Sequence, residues 1–255
     1  MAMNFSFFNQ QLQREISGKH RGSSPLWILL QPLLLLAVYS FVFTQIFQAR
    51  VPAGLDSGFV IYLALGYWPW SAFSESVLRN LSVINEHAAL IRKVAIRRDT
   101  LVLARVCGVF ILHGLGFLAV LLVLSIAGQS VLWQFLPVAI VLLLLLALLA
   151  VGFSLLFSAV QVIVPSISHM VQPAMLLMFF STPILWAPSM LPEQYQSVVQ
   201  LNPMAWWVGA MRELMLAGSW HWHLGGIIFL VALFMVPLLG YWVFHRLSPH
   251  FEDYL

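Results

Sequence analysis

Side chains able to do chemistry are few in this chain, and their spacing says what they can and cannot build. Glu75 and Arg79 stand four residues apart, the spacing that lets a carboxylate and a guanidinium pair on one helix face. His221-Trp222-His223 offers two imidazoles, but no third ligand accompanies them, so they read as an interfacial His/Trp cluster and no metal site is expected. His113 lies within an apolar run, where ionisable groups are costly; a neutral imidazole bonded to a neighbouring helix fits it. The sequence holds no G-x-x-x-x-G-K-[ST], H-E-x-x-H or G-x-S-x-G motif, so no catalytic residue and no ATP site is expected on it. Glu75 is the one acid placed inside a spanning segment, and a proton relay would need several.

Aromatic residues are the remaining chemical signal. Tyr39, Phe41, Phe43 and Phe47 fall in one apolar run, and Tyr62, Tyr67, Trp68, Trp70 and Phe73 in the next, around Pro69. Phe179, Phe180 and Trp186 lie near Pro173 and Pro183. Aromatic faces stack on sugar rings and prolines bend helices, so these residues could wall a path for a glycan. Interfacial belts and ordinary packing are the alternative.

These residues need elements to hold them, and the composition says which. Hydrophobic residues make up 61% of the chain and charged ones 8%, too few to coat a water-soluble globule. A spanning helix needs about 20 apolar residues. Candidates occur near 26–47, 59–80, 101–127, 131–160, 169–187 and 224–245, predicting an all-α polytopic membrane protein of six transmembrane helices forming a single unit over 1–255. With both termini cytoplasmic, Arg14, Lys19, Arg21, Arg79, Arg92, Lys93, Arg97, Arg98, Arg105 and Arg246 fall inside, and Arg50 and Arg212 outside. That asymmetry obeys the positive-inside rule and accounts for the net charge of +3 without a nucleic-acid partner. Cys107 has no cysteine to pair with in this chain.

Three segments lie between or before the spans. Residues 3–17 carry Phe5, Phe8, Leu12 and Ile16 at helical spacing beside Arg14, which fits an amphipathic helix in the cytoplasmic interface; a soluble cap helix is the alternative. The inner segment 82–100 contains Asn85-Glu86-His87 and Leu90-Ile91-Arg92-Lys93-Val94, whose apolar stripe predicts a short helix along the membrane surface. The outer segment 187–223 predicts two short helices, about 190–200 and 204–217. The second is apolar yet too short to span, so it reads as re-entrant or interfacial.

Taken in order, these segments resemble the membrane subunit of ABC-2-type polysaccharide exporters, the permeases for O-antigen, capsule or teichoic acid. The likeness runs through Arg21-Gly22-Ser23, Trp27 ahead of Pro32, and Val38-Tyr39-Ser40-Phe41-Val42-Phe43. It continues through Tyr62 to Phe73, Asn85 to Val94, Ser181-Thr182-Pro183-Ile184, Leu191-Pro192, Leu201-Asn202-Pro203 and Arg212. Two departures stand out: Ser24-Pro25-Leu26 replaces a longer Leu-Gly stretch, and Arg97-Arg98 replaces a Phe-Pro pair.

The resemblance implies a homodimeric channel in the inner membrane, driven by a separate ABC ATPase that binds ATP and Mg. It implies coupling through a segment that begins at Asn85, in which Leu90, Ile91 and Val94 enter a groove of that ATPase, with Arg92 and Lys93 at its rim. Tyr39, Phe43, Tyr67, Trp68, Trp70, Phe73, Phe180 and Trp186 become the expected channel wall, and the cargo a lipid-linked polysaccharide, O-antigen before capsule or teichoic acid. Competing readings are an ABC-2 exporter of a drug or small lipid, an intramembrane glycosyl- or acyltransferase using Glu193, Glu213, His221 or His223, and a non-catalytic assembly subunit.

Overall fold

Apolar backbone removed from water must bond to itself, and the described residues do so chiefly as helices, with no strand among them. The computed structural model describes residues 5–17, 25–46, 58–94, 96–222 and 224–255. Lys19, Arg21-Gly22-Ser23, Phe47, Arg50 and His223 lie outside them, as do the side chains of Trp27 and Glu193. In chain order the helices are α1 (Phe5–Ser17), α2 (Pro25–Phe41), α3 (Phe59–Asn80), α4 (Val83–Glu86), α5 (Ala88–Ile91) and α6 (Asp99–Ile126). There follow α7 (Leu136–Ile163), α8 (Ser168–Ser181), α9 (Glu193–Val199), α10 (Pro203–Arg212), α11 (Leu224–Leu247) and α12 (Phe251–Tyr254). Single π-helical turns, Val42–Ile46 and Glu213–Ala217, extend α2 and α10.

Three helical stretches are long and apolar enough to cross a membrane: Asp99–Ile126, Trp133–Ile163 and Leu224–Tyr254. The other three expected spans are helical but fall short of that standard. α3 carries Glu75 and Arg79 in its last turns, α2 gives way to a π turn after Phe41, and α8 ends at Ser181. At about 1.5 Å per residue α8 covers only about 21 Å.

The bundle is tightest where α7 meets α11. A Cβ on Gly240 would lie 2.2 Å from the Gly152 carbonyl oxygen, and one on Gly152 would lie 2.6 Å from the Pro237 nitrogen. Backbone therefore touches backbone, the packing by small residues that replaces hydrophobic driving force between helices in lipid. α10 is buried on nearly every side, from Met204 to Arg212, and the Trp207 indole donates to the Leu142 carbonyl of α7 at 3.0 Å.

α1 and the C-terminal turn gather at one end, which carries most of the described basic residues and is called here the basic end. A second core forms there from Val83, Ile84, Ile91, Leu101, Val102 and Phe251, with Phe7 of α1 and Leu255 packed against it. In the inner segment the expected short helix is present as two single turns, α4 and α5, that meet at His87, whose Nδ1 lies 2.9 Å from the Val83 carbonyl oxygen. Ile91 is drawn in by this second core while Leu90 is half-buried and Val94 exposed, so the stripe does not share one face.

Gly240→Leu forces α7 and α11 apart. By the usual cost of overpacking, about 1–3 kcal/mol, the variant unfolds at a lower temperature in detergent, read by the loss of its monodisperse chromatographic peak on heating.

Candidate functional site

A groove of about 490 Å³ opens between α2, α3 and α8. Its wall on α3 follows from helical spacing: Tyr67, Trp70, Ser71, Ser74, Glu75 and Leu78 recur at intervals of one or three residues and so share a face. Tyr39 of α2 meets the Tyr67 ring edge-on at 5.6 Å, and Phe179 of α8 lies 6.2 Å from Tyr39 and 6.0 Å from Trp70. Each of the three helices contains a proline, Pro32, Pro69 or Pro173, which removes an intrahelical bond. Gln31 and Gln172, both exposed, add hydrogen-bonding groups at the rim.

The structure brings Tyr39, Tyr67 and Trp70 to this groove and distributes the other expected aromatic residues elsewhere. Trp68 turns to the opposite side of α3, where its indole donates to the His113 carbonyl at 2.8 Å and borders a second, apolar groove of about 600 Å³. Phe73 is wholly enclosed and meets Phe153 edge-on at 5.9 Å. Phe43 stacks on Phe59 at 5.8 Å; Phe180 is exposed beside Phe179; the Trp186 indole donates to the Phe180 carbonyl at 3.2 Å. Gln31 and Gln172 are groove residues that the sequence reading did not pick out, and Phe179, named among the aromatic residues but not carried into the expected channel wall, joins them. The three-and-four spacing from Tyr67 to Leu78 was the available signal for the α3 wall.

At the basic end the groove floor is ionic. Glu75 Oε1 accepts from Arg79 Nη1 at 2.8 Å, as their spacing predicts, and Glu75 Oε2 lies 2.8 Å from His113 Nε2. Arg79 also donates to Glu15 of α1 at 3.2 Å. Glu15 reaches this position because α1 seats on α6 where Gly108 leaves room; a Cβ there would lie 2.8 Å from the Glu15 Cβ. The helix thus docks through its Gln11 and Glu15 side, with Gln11 buried and Phe5 and Arg14 exposed. Phe8 packs tilted on Phe5 at 6.3 Å, and Leu12 is half-buried.

Arg105, at 2% exposure, lies outside the groove lining and completes the ionic network behind Arg79. Its Nε donates to Glu15 at 2.9 Å, Nη1 to the Arg79 carbonyl at 2.8 Å and Nη2 to Glu86 at 2.7 Å. A guanidinium so enclosed persists because carboxylates and a carbonyl take the place of water.

The inner segment offers one face outward. Asn85, Arg92, Lys93 and Val94 are exposed, Val94 at 50%, and Leu90 is half-buried. Ile91, at 5% exposure, points into the second core and has no side to offer a partner. Beyond it, Arg97 pairs with Asp99, whose carboxylate raises the already high guanidinium pKa. Arg98 bonds the Ser248 carbonyl and Glu252 and lies 5.9 Å from the Phe251 ring, clasping the C-terminal turn.

At the opposite end Arg212 is the organising residue, 4% exposed. It donates to the carbonyls of Tyr62 at 2.9 Å, Pro183 at 2.6 Å and Ile184 at 2.7 Å, and lies 3.6 Å from the centre of the Tyr62 ring. Asn202 caps α10 by accepting from the Met204 N–H at 2.9 Å and donates to the Thr182 hydroxyl at 3.1 Å. The sequence fragments Ser181 to Ile184, Leu201 to Pro203, Tyr62 and Arg212 therefore form one hydrogen-bonded assembly.

Residues 8–216, from α1 to the π turn after α10, match the ABC-2 type transporter family. The chain belongs to that family. An O-antigen export system permease protein RfbA of Klebsiella pneumoniae is 27% identical over 238 residues, covering 90% of this chain and 86% of its own. One of the same name from Myxococcus xanthus is 30% identical, covering 76% and 74%. A polysialic acid transport protein, KpsM of Escherichia coli, is 23% identical over 76% of this chain and 74% of its own. As a member of that family the chain is a membrane transport subunit.

Arg212→Lys leaves one ammonium where a fork reached three carbonyls. Stranding buried carbonyls costs about 1–3 kcal/mol each, so this variant melts at a lower temperature than the parent, while Arg92→Lys on the exposed segment leaves the melting temperature unchanged.

Proposed function

We propose that this chain is the transmembrane subunit of an ATP-driven exporter that moves a lipid-linked polysaccharide, O-antigen, across the inner membrane. The observation that carries the reading is the α2–α3–α8 groove of an ABC-2 transporter, whose wall combines Tyr39, Tyr67, Trp70 and Phe179 with amide and hydroxyl side chains. Stacking on aromatic rings contributes about 0.5–1.5 kcal/mol per contact, enough to hold a sugar ring and too little to trap it. Amides and hydroxyls at the rim suit a polymer of hydroxyl groups. The Klebsiella pneumoniae relative named for O-antigen export covers 90% of the chain and is 27% identical, against 76% and 23% for the one named for polysialic acid, which supports O-antigen before capsule.

In this reading all six apolar helices cross the membrane, α2, α3 and α8 being sheltered by a second copy of the chain that closes the groove into a channel. Both termini lie in the cytoplasm, α1 lies in the inner interface, and α10 is re-entrant from the outer side. An ABC ATPase on another polypeptide holds ATP and Mg and docks on the outward face of the 85–94 segment. Asn85, Leu90, Arg92, Lys93 and Val94 make that contact; Ile91 is the anchor that holds the segment to the body.

The Glu75–His113 pair is the kind of acid–base constellation a transferase would use. Both Glu75 oxygens are already engaged, by Arg79 and His113, which favours a positioning role over proton transfer to a substrate.

Two experiments test the assignment. Tyr67→Ala and Trp70→Ala each slow the appearance of surface polysaccharide after a metabolic pulse by about fivefold, the size of a lost stacking contact, with the protein still present in the membrane; export at the parental rate would remove those residues from the path. Lys93→Glu abolishes co-purification of the ATPase at normal protein yield, whereas Ile91→Asp lowers the yield itself, because it buries an unpaired carboxylate. A chain that binds no ATPase before mutation would contradict the exporter reading.

A further inference from the structure

Four ion pairs run in an unbroken line from Glu86 on the inner segment to Glu75 on the groove wall, with a carboxylate–imidazole contact to His113 beside the last of them. Glu86 of α4 holds Arg105 of α6 at 2.7 Å, and Arg105 holds Glu15 of α1 at 2.9 Å. Glu15 holds Arg79 of α3 at 3.2 Å, Arg79 holds Glu75 at 2.8 Å, and Glu75 meets His113 at 2.8 Å. Glu15 bridges two cations with its two oxygens, and Arg79 and Arg105 each bridge two carboxylates; one contact runs parallel to the line, from Arg105 Nη1 to the Arg79 carbonyl at 2.8 Å.

Exposure along the line is graded. The side chains at its two ends are open, Glu86 at 41% on the inner segment and Glu75 at 27% on the groove wall. Between them Arg105, Glu15 and Arg79 are exposed at 2%, 13% and 11%. An ion pair out of water resists separation, because parting it leaves an uncompensated charge with nothing to solvate it. The apolar contacts of Val83, Ile84 and Ile91 with the second core have no such directional hold and can slide.

We propose that this line of ion pairs is the mechanical link through which displacement of the inner segment reaches the groove, with Arg105 as its positioning residue. The proposal rests on the exporter reading. A displacement of Glu86 carries the Arg105 guanidinium with it, Arg105 draws on Glu15, and Glu15 moves Arg79 and Glu75 at the groove floor. α1 is then a working part of the transporter, inserted into the line between α6 and α3.

The test uses the full chain with its co-purified ATPase, in a Cys107→Ser background carrying Ser74→Cys on the groove wall. The rate of maleimide labelling of the introduced thiol is compared without nucleotide and with a non-hydrolysable ATP analogue. Glu86→Gln cuts the line at its exposed end, where folding is least at risk, and Glu15→Gln cuts it in the middle. Each keeps the ATPase bound and reduces the nucleotide-dependent change in labelling by about tenfold, the scale of a lost charge-assisted bond. A structural brace alone would lower the melting temperature and leave the nucleotide response intact. A parental nucleotide response in Glu86→Gln with the ATPase bound overturns the link. A parent chain with no bound ATPase overturns the exporter reading and the link together.

Discussion

Burial of the Arg105 guanidinium is the constraint around which the basic end is built. Its five N–H groups cannot be left without acceptors, and an isolated buried charge costs several kcal/mol even after relaxation. The acceptors come from three different elements: Glu15 of α1, Glu86 of α4 and the Arg79 carbonyl near the end of α3. Satisfying one side chain of α6 therefore fixes the position of an amphipathic helix, an inner loop and the floor of a groove. The helix dipole assists, since the C-terminal turn of α3 presents partial negative charge to a cation.

The other end of α3 meets the same requirement differently. Arg212 is as deeply buried as Arg105, yet its described partners are carbonyl oxygens and the face of Tyr62, with no carboxylate among them. Dipoles and a ring quadrupole neutralise it without adding a second charge to the apolar layer. α3 is thus held by an arginine near each terminus, Arg212 at Tyr62 and Arg105 at Arg79, and the aromatic stretch from Tyr67 to Trp70 lies between the two. The groove wall on α3 is the rigid side; α2 and α8, with broad exposed apolar faces, form the other.

Most helix extents were readable from the sequence because long apolar runs leave the backbone one option, but the fifth expected segment stops at Ser181, short of 187, and only three stretches are long and apolar enough to span. Side-chain direction was not. Trp68 and Trp70 are two residues apart, so about 200° of helical rotation separates them, and an aromatic run alone cannot say which faces a cavity. Ile91 looked like part of a docking stripe because apolar residues at helical spacing can face inward or outward equally well; Leu101, Val102 and Phe251, remote in sequence, draw it inward. The partners of Arg105 were invisible for the same reason, since Glu15 stands ninety positions away. What could be seen was that an arginine in an apolar run requires partners, and Glu15 was one of few acids available to supply one.

The central claim is that a glycan passes along the α2–α3–α8 groove and not along the apolar groove on the other side of α3. Site-specific photo-crosslinking in cells, with the ATPase stalled part-way through export, tests this most directly. A photoreactive residue replacing Ser74 samples the first groove and one replacing Ala119 the second. The account predicts a ladder of glycan adducts from position 74 and lipid adducts alone from position 119. A glycan ladder at 119 with none at 74 would contradict it.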